Sequence, residues 1–262
     1  MGKSDLKISL IQSALHWEDK AANLASFGEK IRGLKGQQHI IVLPEMFSTG
    51  FSMAPAALSE TMDGPTVSWM KEMAAEAHTI LTGSVIIEEE GLFYNRMLWV
   101  LPNGAVGHYD KRHLFSYAGE QEQYTAGSKR FIGSVNGWKI CLQVCYDLRF
   151  PVWARNTDDY DVLLYVANWP EVRNTAWEAL LQARAIENLC FVAGVNRVGQ
   201  DGNGHNYSGN SSIYGPAGDL IWKETGNEAI HTATFSYHDL SAFRERFTFL
   251  NDRDSFVITG SE

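Results

Sequence analysis

Apolar β-rich runs recur along the whole chain, with amphipathic helical patterns between several of them, and this alternation is the strongest constraint on its fold. "LKISLIQS" (6–13), "HIIVLPE" (39–45), "TILTGSVIIEE" (79–89), "LFYNRMLWVLP" (92–102), "KICLQV" (139–144), "DVLLYVAN" (161–168), "CFVAGVNRVG" (190–199), "SSIYGP" (211–216) and "AIHTATF" (229–235) read as strands. "GPTVSWMKEMAAEAH" and "NTAWEALLQARAIENL" read as helices. Pro65 sits at the entry of the first, and in the second Trp177, Leu180, Leu181, Ala185 and Leu189 fall near helical spacing with charges opposite. Two Asn-Gly pairs, Asn103-Gly104 and Asn136-Gly137, separate β-rich runs. That dipeptide favours two-residue hairpins, so the sheets must be mixed and not purely parallel. The expected class is α/β, with large mixed sheets covered by helices. Periodicity leaves open whether the strands form one sheet or two.

No low-complexity linker, charge block or fixed-period repeat divides the 262 residues, so residues 1–262 are expected to form one domain, and 45% hydrophobic content suits a sizeable core. A net charge of −9 and a pI near 5.4 argue against nucleic acid or an anionic membrane surface as partner, since both attract clustered Lys and Arg. No run approaches the roughly 18 apolar residues of a membrane span. The apolar start is broken by Gln12 and Ser13 and lacks a signal-peptide cleavage site, and Gly2 lacks the Ser or Thr that myristoylation wants where Leu6 stands. The Asn206 and Asn210 sequons then carry no weight. An odd count of three cysteines fits a reducing compartment, here the cytoplasm. Small molecules or further copies of the chain are the expected partners.

The stretch "KICLQVCYDLRFP" carries Cys141 and Cys145 four residues apart. On an extended strand that separation is about 13 Å, whereas a disulfide wants Cα atoms within about 7 Å. The two therefore share neither a bond nor a metal ion. Elsewhere there is no H-E-x-x-H, no paired C-x-x-C, no Walker loop and no G-x-S-x-G elbow. "DGNGHNYSG" (201–209) is glycine-rich but reads as a surface loop. Cys141 and Cys190, each inside an apolar run, read as small buried hydrophobes. Cys145 differs because it sits where a strand gives way to a polar turn, a place at which α/β proteins expose functional groups.

A nucleophilic thiol needs a base and a positive group. Two further strand ends supply candidates: Glu45, after Pro44 and before the aromatic Phe47 and Phe51, and Lys111, after the strand that follows Asn103-Gly104. Taken singly, each reads more simply as a solvated loop charge.

Together, "LPEMF" with Glu45, "YDKRHLF" with Lys111 and "CYDLRFP" with Cys145 resemble, in order and spacing, the Glu-Lys-Cys motifs of the nitrilase, or carbon–nitrogen hydrolase, superfamily. "LLQARAIENLCFVAGVNRVG" resembles the family's segment after the nucleophile, and the likeness runs from "KISLIQ" to about residue 235. The resemblance implies a four-layer α-β-β-α sandwich with two mixed sheets, pairing as a homodimer or higher homo-oligomer. It implies no cofactor and no metal. It assigns Glu45 as proton acceptor and donor, Lys111 and the Tyr146 backbone N–H as oxyanion donors, and Cys145 as the thiol that forms a thioester. A second glutamate beside the lysine is expected at Glu120, with Glu122 as the alternative.

Among the branches, "CYDLRFP" looks most like the ω-amidase group, which hydrolyses the terminal amide of short dicarboxylic monoamides such as 2-oxoglutaramate. Other amidases, carbamoylases, nitrilases and a catalytically silent scaffold are the alternatives. A substrate carboxylate calls for a cation, either Arg149, whose other reading is an ion pair with Asp147, or Arg173. Phe47, Phe51 and Trp169 are candidate pocket walls that would serve equally as core.

Overall fold

The computed structural model describes residues 3–259 except Lys35 and Gln37, so Gly2 lies outside it. The first half of the chain supplies β1 (Leu6–Gln12), β2 (Ile40–Val42), β3 (Ile80–Glu89), β4 (Leu92–Val100) and β5 (Val106–Asp110). The second supplies β6 (Ile132–Val135), β7 (Trp138–Val144), β8 (Val162–Ala167), β9 (Phe191–Asn196), β10 (Val198–Gln200), β11 (Asn206–Tyr214) and β12 (Leu220–Thr225). A last strand, β13 (Ala229–Phe235), returns to the first group. The strands form two sheets, ordered β13-β1-β2-β3-β4-β5 and β10-β11-β9-β8-β7-β6, with β12 on β11.

Both sheets are mixed. β1, β2 and β3 run parallel at the centre of the first, and β7, β8 and β9 do so in the second, with antiparallel strands outside each group. Residue alternation explains the layering, because successive side chains on a strand face opposite sides. Leu6, Ile8, Leu10, Ile40 and Val42 of the first sheet join Ile140, Leu142 and Leu164 of the second in one buried cluster between the sheets. Ile11 and Ile41 face the other way and pack under Phe27 and Ile31 of the helix Lys20–Arg32 and Val67 and Met70 of the helix Pro65–Glu76. On the far side, the helix Asn174–Asn188 lies so close to β9 that a Cβ at Gly194 would come within 2.6 Å of Leu181 and 2.8 Å of Trp177. The result is an α-β-β-α sandwich. Among the described residues no helix is long and apolar enough to cross a membrane.

Local readings hold unevenly. Asn136 (φ 50°) and Gly137 (φ 82°) are both left-handed, and Val135 pairs with Trp138, the two-residue hairpin expected of Asn-Gly. At the other pair only Gly104 (φ 83°) is left-handed, and the Leu101 N–H donates to the Ala105 carbonyl across a wider turn. The segment read as a surface loop, 201–209, is partly strand: its last residues open β11 and pair with β10 as a hairpin. The helix Lys20–Arg32 was not singled out from the sequence. Asn23 and Gly28 fall among its buried residues and dilute the apolar stripe.

Candidate active site

Three strand ends converge. Glu45 follows β2, Lys111 follows β5, and Cys145 follows β7 of the opposite sheet, so the sheet-to-sheet packing closes the group. Cys145 leaves the strand with φ 46° and begins a short 3-10 helix, Cys145–Arg149. A non-glycine residue in that region is strained and persists only where its surroundings hold it. Asp147 does the holding. Its carboxylate, fully buried, accepts from Val144 N–H (3.0 Å), Tyr109 O–H (2.8 Å), His113 N–H (2.9 Å) and His113 Nδ1 (2.8 Å). The turn that carries Cys145 is thereby tied to the loop that carries Lys111.

Lys111 Nζ sits 3.0 Å from Glu45 Oε1 and 2.8 Å from Glu120 Oε2, with all three side chains fully buried. Burial alone would lower the lysine pKa, but Glu120 and Glu45 outweigh it and hold the ammonium well above its usual range. Burial raises the Glu120 carboxyl, opposed by Lys111 and reinforced by Glu45. The Cys145 thiol is pushed well above its ordinary value, first by burial and then by Glu45, with Lys111 working the other way. Glu122 is exposed, so of the two candidate second glutamates only Glu120 reaches the lysine.

A cavity of about 530 Å³ opens onto Cys145 and Tyr146, with Phe51, Trp169, Arg149 and Arg173 in its wall. Phe51 also lies under the Lys111 ammonium, 5.1 Å from ring centre to Nζ. Phe47 is not in the wall. Met46 (φ 43°) turns the chain so that Phe47 points away from the cavity, fully buried edge-on to Phe27 at 5.5 Å beneath the outer helices. The proposed Arg149–Asp147 ion pair is absent as well, since Asp147 is occupied by the four donors above. The Arg149 guanidinium instead rests over the Trp169 ring at 5.0 Å, and Arg173 rests over Phe115 at 5.0 Å. Neither arginine has an ion pair among the described residues. Trp169 is fixed by its N–H to Asn196 Oδ1 (2.8 Å) and its indole N–H to the Arg173 carbonyl (2.9 Å).

Several residues at the centre were missed in the sequence. Asn95 donates to Glu45 Oε1 (2.8 Å), and Asn168 donates its backbone N–H to Glu45 Oε2 (2.7 Å). The β10–β11 hairpin adds Asp201 and Tyr207 to the wall, joined by a 2.8 Å hydrogen bond. An asparagine inside an apolar strand pattern, as Asn95 is in "LFYNRMLWV", was the one visible signal.

A double-sheet sandwich with a buried carboxylate, ammonium and thiol at adjoining strand ends defines a class of thiol-dependent hydrolases, and comparison with known proteins places the chain within it. The carbon–nitrogen hydrolase profile matches residues 7–245, and the chain belongs to that family. It is 48% identical to omega-amidase YafV of Escherichia coli K12 across 96% of this chain and 98% of that one. It is 31% identical to 2-oxoglutaramate amidase of Bacillus subtilis across 94% and 96% of the two chains. Among solved structures, XC1258 from Xanthomonas campestris, a carbon–nitrogen hydrolase superfamily protein with an arsenic adduct in its active site, superimposes with a TM-score of 0.95. Its identity is 46%, over 97% of this chain and 99% of that one.

Proposed function

We propose that the protein is an ω-amidase, hydrolysing the terminal amide of short dicarboxylic monoamides of the 2-oxoglutaramate and 2-oxosuccinamate type to acid and ammonia. The observation that carries the reading is the cavity itself. A thiol beside a buried glutamate–lysine–glutamate group lies at its floor, and two guanidiniums with no ion pair among the described residues stand in its wall. The names of the two relatives above support the same substrate class.

Glu45 accepts the Cys145 proton as sulfur bonds to the amide carbon, and the carbonyl electron pair moves onto oxygen. The Tyr146 N–H donates to that oxyanion, and the charge of the Lys111 ammonium offsets it. Tyr146 stands in the first turn of its 3-10 helix, where N–H groups have no intrahelical acceptor. The oxyanion collapses, the C–N bond breaks, and Glu45 returns the proton to the departing ammonia, leaving a thioester. Water then attacks with Glu45 as base, the C–S bond breaks as Glu45 passes that proton to the Cys145 sulfur, and the acid leaves. Glu120, bonded to Lys111 through both oxygens, at 3.0 and 2.8 Å, fixes the ammonium. Arg149 and Arg173 receive the substrate's free carboxylate, against the wall of Trp169 and Phe51.

Three further proposals accompany this reading. Residues 1–262 act as one catalytic domain, because the two sheets share a single buried layer. The protein works in the cytoplasm, in keeping with three free, buried thiols. It pairs as a homodimer through helical surfaces such as those bearing Val152 (54% exposed) and Ile186 (50% exposed).

Ammonia release from a panel of oxo-acid monoamides, carbamoyl amines and nitriles tests the assignment. The oxo-acid amides are expected to turn over fastest, Cys145→Ala to abolish turnover, and Cys141→Ala to retain it. Preference for a nitrile or carbamoyl amine, or equal loss in the two cysteine variants, would overturn it.

A further inference from the structure

We infer that Asn95 is a positioning residue of the reaction: by occupying Glu45 Oε1 and reaching Glu120, it leaves Glu45 Oε2 as the oxygen that carries the proton. The inference rests on the proposed role of Glu45 as the base for Cys145.

The argument is a count of donors and acceptors. A carboxylate oxygen has two lone pairs in its plane. Glu45 Oε1 receives Asn95 Nδ2 at 2.8 Å and Lys111 Nζ at 3.0 Å, and is full. Glu45 Oε2 receives a single fixed donor, the Asn168 N–H at 2.7 Å, which leaves one lone pair open. The Cys145 thiol donates at 3.9 Å to the carbonyl of Asn168, the residue whose N–H holds Oε2, so one residue anchors both the thiol and that oxygen. The proton therefore passes to Oε2, and the same oxygen returns it to the leaving group.

Asn95 also addresses the second carboxylate. Its Nδ2 lies 3.4 Å from Glu120 Oε1, so one neutral amide stands between two buried acids that share a single lysine. Like charges so placed tend to force a proton onto one of them. Glu120 meets donors on both oxygens: Lys111 Nζ on each, and the Phe115 N–H on Oε2 at 2.6 Å. Asn95 adds a donor without adding charge. Its backbone carbonyl accepts the Lys111 N–H at 3.0 Å, so the same residue fixes the start of the lysine loop.

The cost of this placement is visible. Asn95 is fully buried, and its Oδ1 has no hydrogen-bond partner among the described residues. An apolar side chain of the same volume would avoid that orphaned oxygen. The amide is therefore explained by what its nitrogen does, not by packing.

Two substitutions test the inference. Asn95→Leu removes the donor at similar volume, and is expected to lower kcat by about ten-fold or more with little change in KM, the signature of a group acting after substrate binds. Asn95→Asp keeps the shape and replaces the donor with an acid. The ionisable groups around it are Glu45, Glu120, Lys111, Cys145 and Tyr124, with Glu18 farther out. At neutral pH the introduced charge opposes the two glutamates and activity falls. As pH is lowered the introduced carboxyl regains a proton and becomes a donor again, so activity relative to the unaltered enzyme is expected to climb. A purely structural role predicts an equal loss at every pH. That result, or an unchanged kcat in Asn95→Leu, overturns the inference. Cys145→Ala separates the two readings: turnover surviving it removes the role of Glu45 as base, and this inference with it. Turnover lost in Cys145→Ala but kept in Asn95→Leu removes this inference alone.

Discussion

Arg149 shows how one side chain can be read two ways until its neighbours are known. Its guanidinium lies over Trp169 at the cavity, and the only nearby acid in sequence, Asp147, is bound elsewhere. A planar fork stacked on an aromatic ring and free of carboxylates is suited to a carboxylate brought by substrate. Lysine would keep the charge but lose both the fork and the stacking. Arg149→Lys is therefore expected to raise KM for oxo-acid amides by about ten-fold with kcat nearly unchanged, measured by steady-state ammonia release. An unchanged KM would return Arg149 to structure and leave Arg173 as the cation.

At the scale of elements, the feature that matters is the tie between the β7 turn and the loop after β5. Cys145 holds a left-handed conformation because Asp147, two residues on, gathers Val144, Tyr109 and His113. Trp153 closes the far side by donating its indole N–H to Tyr109 Oη at 2.9 Å. Asp147→Ala strands these buried donors, and is expected to cost about 3 kcal/mol of stability. Because the strained turn would relax, activity should fall further than the loss of folded protein explains. Urea unfolding alongside kcat per folded molecule checks both. A variant with native kcat at full folding would show that the turn needs no clamp.

For the whole molecule, the two-sheet core sets a pH response. Burial pushes the Cys141 thiol up to about 12, and Cys145 and Cys190 are also raised, chiefly by burial. An unfolded thiol titrates at about 8.5. Above that pH the unfolded chain releases protons that the folded chain retains, so stability present below it is lost as pH rises. The midpoint of urea unfolding is expected to fall between neutral and alkaline pH, and to fall less in Cys141→Ala. An equal slope in both proteins would assign the loss to other groups.

Glu45, Lys111 and Cys145 were legible as candidates because each stands near a strand end, found from apolar runs that stop at Pro44, Asp110 and Val144, and because their three motifs together resemble those of one family. The short hairpin at Asn136-Gly137 was legible for a local reason too, since left-handed φ values select those residues. What a side chain touches across the fold was not legible. Phe47 and Phe51 are four residues apart in an irregular turn, and the left-handed Met46 and Gly50 set which of them faces the cavity. Glu120 and Glu122 differ by burial against Lys111, a contact that exists because the segment after β5 folds back over the first sheet. Periodicity and turn preference are local, and they carried the α/β class, the mixed sheets and the residue types available for thiol chemistry. Only the tertiary structure brought Glu45, Asn95, Lys111 and Cys145 together. Their meeting depends on two sheets packing face to face, and no local pattern encodes that distance.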